Sequence, residues 1–191
     1  YKENGCSFVL NVDTCYFSPR LASERKEIAE KVRKNENVLV MFGGVAPFAI
    51  VIARLGRAKK VLSVELSKEC NKYAVENVKR NKLSNAVELI QGDVRKKIGK
   101  GKKVSEKFDR IVMARPNLKD SFLNVAFRAI KKGGIIHYYG FYAEDKTDNL
   151  EELIVNEANK SGKKIKIRGI KKAGDIGVRK YRYRIDIQVS R

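Results

Sequence analysis

Tryptophan is absent from this chain, histidine occurs once, at His137, and cysteine only at Cys6, Cys15 and Cys70. That scarcity leaves little from which to build a zinc site, because a structural zinc takes four Cys or His ligands at short spacings and these residues share none. We expect no metal, and three reduced thiols with structural roles. No apolar run reaches the roughly 18 to 20 residues that cross a bilayer, and no charged-then-apolar leader precedes a small-residue cleavage site. The expectation is a soluble, cytoplasmic protein without membrane contact. Acidic residues are also short: 22 Asp and Glu stand against 42 Lys and Arg, a formal net charge of +20. An excess of that size attracts polyanions, so nucleic acid is the default partner, although Lys-rich or heat-adapted proteomes also carry solvated lysines that bind nothing.

What is present is enough apolar material, 43% of 191 residues, to bury the core of one α/β domain. The reading divides the chain into a short N-terminal β appendage, residues 1–20, and a main domain, residues 21–191. Phe8 to Phe17 (FVLNVDTCYF) reads as one or two short strands, broken by Ser18-Pro19. Leu21 to Arg33 places Leu21, Ile28, Ala29 and Val32 on one helical stripe. Then comes a repeated strand and helix alternation. Strands are expected at Asn37 to Met41, Val61 to Glu65, Ala86 to Gln91, Phe108 to Met113 and Gly134 to Tyr139. Helices are expected from Pro47 to the stop at Gly56, and over Glu69 to Asn81, Phe122 to Ile130 and Asn149 to Ser161. Lys164 to Ile170 and Tyr181 to Val189 close the chain as an antiparallel hairpin, with Tyr181, Tyr183, Ile185, Ile187 and Val189 on one face. Unalternating apolar strands argue for a mostly parallel sheet of seven strands with helices on both faces. Arg95 to Lys107, rich in glycine and lysine, reads as a mobile solvent-facing loop.

In open α/β sheets ligands bind at the carboxyl ends of strands. Phe42-Gly43-Gly44-Val45-Ala46 follows the first strand of the alternation, and its small residues allow close approach of a nucleoside-sized ligand. Glu65 ends the second strand, where a carboxylate can accept both ribose hydroxyls. Asp93 follows the third, where one can accept from an adenine amino group. A glycine turn, an acid about 20 residues on and another about 30 beyond is the order that S-adenosylmethionine enzymes use. A nicotinamide dinucleotide favours G-x-G-x-x-G for its pyrophosphate, and GGVAPF does not fit.

Several strings together resemble the archaeal and eukaryotic type of tRNA (guanine-37-N1)-methyltransferase and its relatives in wyosine biosynthesis. They are ENG at Glu3 to Gly5, YFSPRLASER at Tyr16 to Arg25, MFGGVAPFAI at Met41 to Ile50, NVKRNKL at Asn77 to Leu83, GDVR at Gly92 to Arg95, FDRIVMARP at Phe108 to Pro116 and GGIIHYYGF at Gly133 to Phe141. The resemblance implies a Rossmann-like class I methyltransferase that moves a methyl group from S-adenosylmethionine to N1 of guanosine 37 beside the anticodon. It implies Glu24 as the base that takes the N1 proton, with Arg115 and Pro116 in the catalytic post-strand loop. For the cofactor it implies Phe17, Arg20, Phe42, Gly43, Gly44, Val45, Glu65, Leu66, Asp93, Val94 and Ala114. Arg20 can meet the methionine carboxylate or a phosphate. A first-turn glutamate also complements a helix dipole, and a loop arginine is often only a surface charge.

The chain departs from the family pattern at Val40, in place of Asp, at Ala46, in place of a second turn glycine, and at Ala114-Arg115-Pro116, in place of Asn-Leu-Pro. Arg115 is a candidate partner for the guanine O6. Because the chain opens on Tyr1 and not on Met, we expect residues upstream, including the family's small N-terminal domain and a further arginine. Within the same fold, aminocarboxypropyl transfer is the alternative, which Pro116 and Glu24 disfavour. From another class the alternative is an RNA-binding module without catalysis. The partner expected is the anticodon stem-loop of a tRNA, bound by a monomer. Lys96 to Lys107, Lys163 to Lys172 and Arg179 to Arg184 are the candidate RNA surfaces, with Tyr181 and Tyr183 placed either to stack on bases or in the strand core. His137 reads as a hydrogen-bonded core histidine, and Cys70 as buried and inert.

Overall fold

The computed structural model describes residues 1–143 and 147–190. Seven strands make up its mixed sheet, and a separate pair, β1 (Lys2–Glu3) and β2 (Cys6–Ser7), forms a small antiparallel hairpin. The chain divides into two compact units, Tyr1–Lys97 and Ile98–Arg191.

In the first unit, α1 (Ala22–Lys31) is entered through a single 3-10 turn, Pro19–Leu21. Three parallel strands follow, β3 (Asn37–Met41), β4 (Lys60–Glu65) and β5 (Val87–Gln91), in the order β5-β4-β3. Helices α2 (Pro47–Leu55) and α3 (Lys68–Arg80) connect them, and the one-turn α4 (Val94–Lys97) closes the unit. Val38, Leu39, Val40 and Met41 are all buried, as an apolar strand covered on both faces requires. The expected carboxylate position, Val40, is therefore ordinary core.

The N-terminal segment differs from expectation. Phe8 to Phe17 contains no strand: the hairpin lies ahead of it, and Asn11 to Cys15 turn back on themselves through Cys15 N–H donating to the Asn11 carbonyl at 2.9 Å. Phe8 and Cys15, both 2% exposed, serve burial and not a ladder, while Val12 and Tyr16 of the same segment are 81% and 73% exposed. The three-thiol expectation is corrected as well. Cys15 and Cys70 form a disulfide across 55 residues, and only Cys6 is a free, buried thiol among the described residues.

In the second unit, β6 (Phe108–Met113) runs parallel to β7 (Ile130–Ala143), and β9 (Lys180–Val189) lies antiparallel between β7 and β8 (Ile165–Gly177). Helices α5 (Leu123–Ala129) and α6 (Thr147–Lys160) belong to the same unit. The alternation read in β9 holds for Tyr183, Ile185, Ile187 and Val189, which are buried, while Tyr181 at the strand's start is half-buried. Arg182 and Arg184 on the opposite face are buried too, so β9 is covered on both sides. The lysine-rich stretch after α4 is exposed at Lys100, Lys102 and Lys103, as expected, but it is pinned: Ile98 and Val104 are buried and bridge to one another.

Candidate active site

The first unit brings its three strand-end signals together around one carboxylate. Glu65 ends β4, and its side chain accepts from two backbone N–H groups, Gly44 on Oε2 and Ser67 on Oε1, both at 2.7 Å. Its own carbonyl accepts from Gly92 N–H at 2.7 Å, which draws the end of β5 alongside. Each carboxylate oxygen still has a lone pair for a further donor, and the residue is only half-buried. This is an acceptor set in fixed orientation, suited to a vicinal diol such as a ribose.

The turn above it is tight. Gly43 N–H donates to the Val64 carbonyl at 3.0 Å, and a Cβ on Gly43 would lie 2.1 Å from Ser63 Oγ, so a side chain there would require the Ser63 hydroxyl to turn away. Phe42, Gly44 and Ala46 adopt left-handed backbone, with φ of 63°, 56° and 68°. The φ of Ala46 explains why glycine suits that position: an L side chain there costs about 1–2 kcal/mol. Leu66 beside Glu65 is 65% exposed, an apolar surface at the strand end, while Val45 and Val94 are buried. Asp93 is half-buried, and Arg95 holds its carboxylate through backbone N–H and guanidinium contacts of 2.8 to 3.2 Å. The guanidinium hydrogen bond is the main cause that keeps the Asp93 carboxyl below the usual range.

The SPRL-x-x-ER string folds into the 3-10 turn and the start of α1. Glu24 is only 4% exposed, so it is not the solvent-facing first-turn glutamate that the dipole reading describes. Arg25 is buried against Glu3 in a bidentate ion pair, donates to the Ser18 carbonyl at 3.0 Å, and places its guanidinium 5.0 Å from the Phe17 ring. Glu3 of ENG and Arg25 of the ER dipeptide are thus partners. Arg20 is exposed on the 3-10 turn.

Sequence reasoning missed two amides. Asn77 on α3 and Asn81 at its C-cap, four residues apart, grip Val9 and Ser7 as a strand would. Asn81 accepts from Ser7 N–H at 2.9 Å and donates to its carbonyl at 2.7 Å; Asn77 does the same to Val9 at 2.7 and 3.0 Å. The available signal was a pair of asparagines, four apart, on the buried stripe of a helix. A cavity of about 460 Å³ near the hairpin is lined by Lys2 to Ser7. Neither Glu65, Asp93 nor the turn Phe42 to Ala46 lines it and the Glu3 carboxylate is already paired, so it does not mark the site.

The second unit carries the post-strand loop. Arg115 is not a surface charge: it is 5% exposed, it donates to the carbonyls of Leu118 and Asp120, and its guanidinium stands 5.6 Å from the Tyr138 ring. Its Nε is buried without a partner. Pro116 is exposed and Ala114 half-buried. Burial pushes the Tyr138 phenol up to about 12. His137 is a core residue as expected: Nε2 contacts Arg110 and Nδ1 contacts Asp186, each at 2.7 Å. Among the described residues no helix is long and apolar enough to cross a membrane, and no cluster of His, Cys, Asp and Glu is set to hold a metal.

Against known proteins, the model of the TRM5/TYW2 methyltransferase domain matches residues 1–167. The chain is 36% identical over all 191 residues to the tRNA (guanine(37)-N(1))-methyltransferase Trm5b of Pyrococcus abyssi, and spans 55% of that protein. The crystal structure of that enzyme superimposes with a TM-score of 0.88 at 38% identity, over 100% of this chain and 55% of its own. A Methanocaldococcus jannaschii TYW2 structure in complex with AdoMet gives 0.89 at 30% identity, over 100% of this chain and 85% of its own. A complex of aTrm5 with tRNALeu gives 0.82 at 29% identity, over 100% of this chain and 52% of its own.

Proposed function

Since the chain belongs to the TRM5/TYW2 methyltransferase family, we propose that it binds S-adenosylmethionine at the β3 and β4 strand ends and methylates N1 of guanosine 37 in tRNA. The observation that carries the cofactor reading is the Glu65 carboxylate, fixed by the Gly44 and Ser67 N–H groups with lone pairs left over. A diol meeting it replaces no internal contact. When bound, S-adenosylmethionine supplies an electrophilic methyl group on a sulfonium. The residues around it have separate tasks. Gly43 and Gly44 bring backbone close, Phe17, Phe42 and Leu66 offer apolar surface, buried Val94 backs the strand end, and Arg20 offers a cation for a carboxylate or phosphate. Asp93 receives an adenine amino group if Arg95 yields one of its contacts. Ala114 lets the chain pass closely at the end of β6.

Guanine N1 carries a proton and is a poor nucleophile until that proton leaves. Glu24 takes it, and negative charge then develops toward O6. Arg115 retains an unmet buried donor, Nε, of the kind that charge requires. Pro116 shapes the loop on which Arg115 stands. The basic segments named from sequence carry the phosphate contacts, and Lys100, Lys102, Lys166, Arg168, Lys171 and Lys172 within them are exposed.

The test is calorimetric titration of S-adenosylmethionine into the chain and into Glu65→Ala. Micromolar binding weakened by about a hundredfold or more in the variant supports the site, since two ribose hydroxyls lose a charged acceptor worth roughly 1.5–3 kcal/mol each. Binding that is absent from the unsubstituted chain, or indifferent to Glu65, contradicts it.

A further inference from the structure

Asn77 does more than clasp the N-terminal segment. Its side chain is wholly buried and fully used: Oδ1 accepts from Val9 N–H at 2.7 Å, and the two Nδ2 protons go to the Val9 carbonyl at 3.0 Å and the Val45 carbonyl at 3.1 Å. Only a primary amide offers one acceptor and two donors in this plane, and the Val9 N–H fixes which way round it lies. Val45 is the fourth residue of the turn Phe42 to Ala46, in which three residues hold left-handed backbone. A turn with that much conformational cost persists only when its surroundings over-determine it. Asn77 is one such restraint. A second is apolar packing of Val45 with Cys15 and Cys70, flanked by Phe17 and Tyr73. Asn81, four residues on, makes the same clasp to Ser7 and bonds nothing in the turn.

We propose that Asn77 is a positioning residue for the cofactor turn, coupling the docking of residues 7–9 on α3 to the geometry of Gly43 to Ala46 and hence to cofactor affinity. The inference rests on the reading of that turn as an S-adenosylmethionine site. Asn77→Ser removes the bond to Val45 together with the clasp on Val9. Asn81→Ser removes the clasp on Ser7 and the Nδ2 bond to the Asn77 carbonyl at 2.8 Å, but no bond to the turn. Both variants weaken packing of the N-terminal segment, so both lower the unfolding midpoint. Only Asn77→Ser is expected to raise the Kd for S-adenosylmethionine, by about tenfold, the effect of one buried hydrogen bond. Asn81→Ser stays within about twofold, and affinity for a tRNA transcript stays within about twofold in both.

The experiment measures S-adenosylmethionine binding by calorimetry, tRNA binding and thermal unfolding on the chain and the two variants. Asn77→Asp is the second lesion should Asn77→Ser fail to fold, since it keeps the acceptor for Val9 N–H and gives up the donors. The inference is overturned if Asn77 variants bind the cofactor like the unsubstituted chain, or if Asn81→Ser weakens it equally. An unsubstituted chain that does not bind S-adenosylmethionine overturns the underlying reading instead, and this one falls with it.

Discussion

A neutral imidazole at His137 follows from its two neighbours. Arg110 can only donate, so Nε2 accepts and Nδ1–H donates to Asp186, which Arg184 also contacts at 3.0 Å. Burial is the largest influence and holds the His137 pKa below its usual value; Arg110 and Arg184 act in the same direction, and Asp186 opposes them. The unfolded chain therefore takes up a proton at this residue near pH 6.5 before the folded one does. Its contribution to stability is complete above about pH 6.5 and is lost as pH falls toward the folded value. Urea unfolding midpoints should fall between pH 7 and pH 5, and His137→Gln should flatten that slope whatever it does to the midpoint at pH 7. Equal slopes would contradict the assignment. At the same scale the family strings were legible, but the partnerships within them were not. Glu3 with Arg25, Asn81 with Ser7 and Arg115 with the carbonyls of its own loop depend on what the fold brings near, and composition at one position carries no trace of it.

β3, β4 and β6 were read to within one residue, because an unbroken apolar run has few other uses, whereas β7 runs four residues beyond Gly134 to Tyr139 at each end and β8 seven beyond Ile170. The helices after β3 and β4 were equally legible, the first from its stop at Gly56 and the second over Glu69 to Asn81, within one residue of Lys68–Arg80 at each end. Phe8 to Phe17 shows the limit. It is a coiled segment that buries Phe8 and Cys15 and whose Val9 backbone bonds go to the Asn77 side chain, and strand propensity measures burial as much as pairing. The Cys15–Cys70 link was hidden by its 55-residue separation, which matches no short-range spacing. That link ties the same segment to the first turn of α3. By loop-closure entropy its reduction destabilises the first unit by roughly 4 kcal/mol. Unfolding followed with and without a dithiol reductant should show the loss, and Cys70→Ser should abolish the reductant's effect. A midpoint indifferent to reductant in the unsubstituted chain would contradict the bond.

For the whole molecule the net charge of +20 is the dominant feature. Binding of tRNA through lysine and arginine releases counterions, so affinity should drop by about a hundredfold or more between 50 and 200 mM salt if several phosphates are neutralised. Cofactor affinity, resting on Glu65 and a short glycine turn, should barely move. A tRNA affinity independent of salt would remove the reason for reading the charge as an RNA surface. The family resemblance was legible over nearly the whole chain from strings such as YFSPRL and IIHYY, and the matched domain and superimposed structures agree with it.

The most direct measurement supplies S-adenosylmethionine with an isotopically labelled methyl group and tRNA transcripts carrying guanosine or adenosine at position 37, then identifies the labelled nucleoside by mass after digestion. Label on N1 of guanine in the first transcript, none in the second, and a rate lowered by about a hundredfold or more in Glu24→Gln is the expected result. No transfer, label at another atom or base, or an undiminished Glu24→Gln would contradict methyl transfer to guanine 37 with Glu24 as the base.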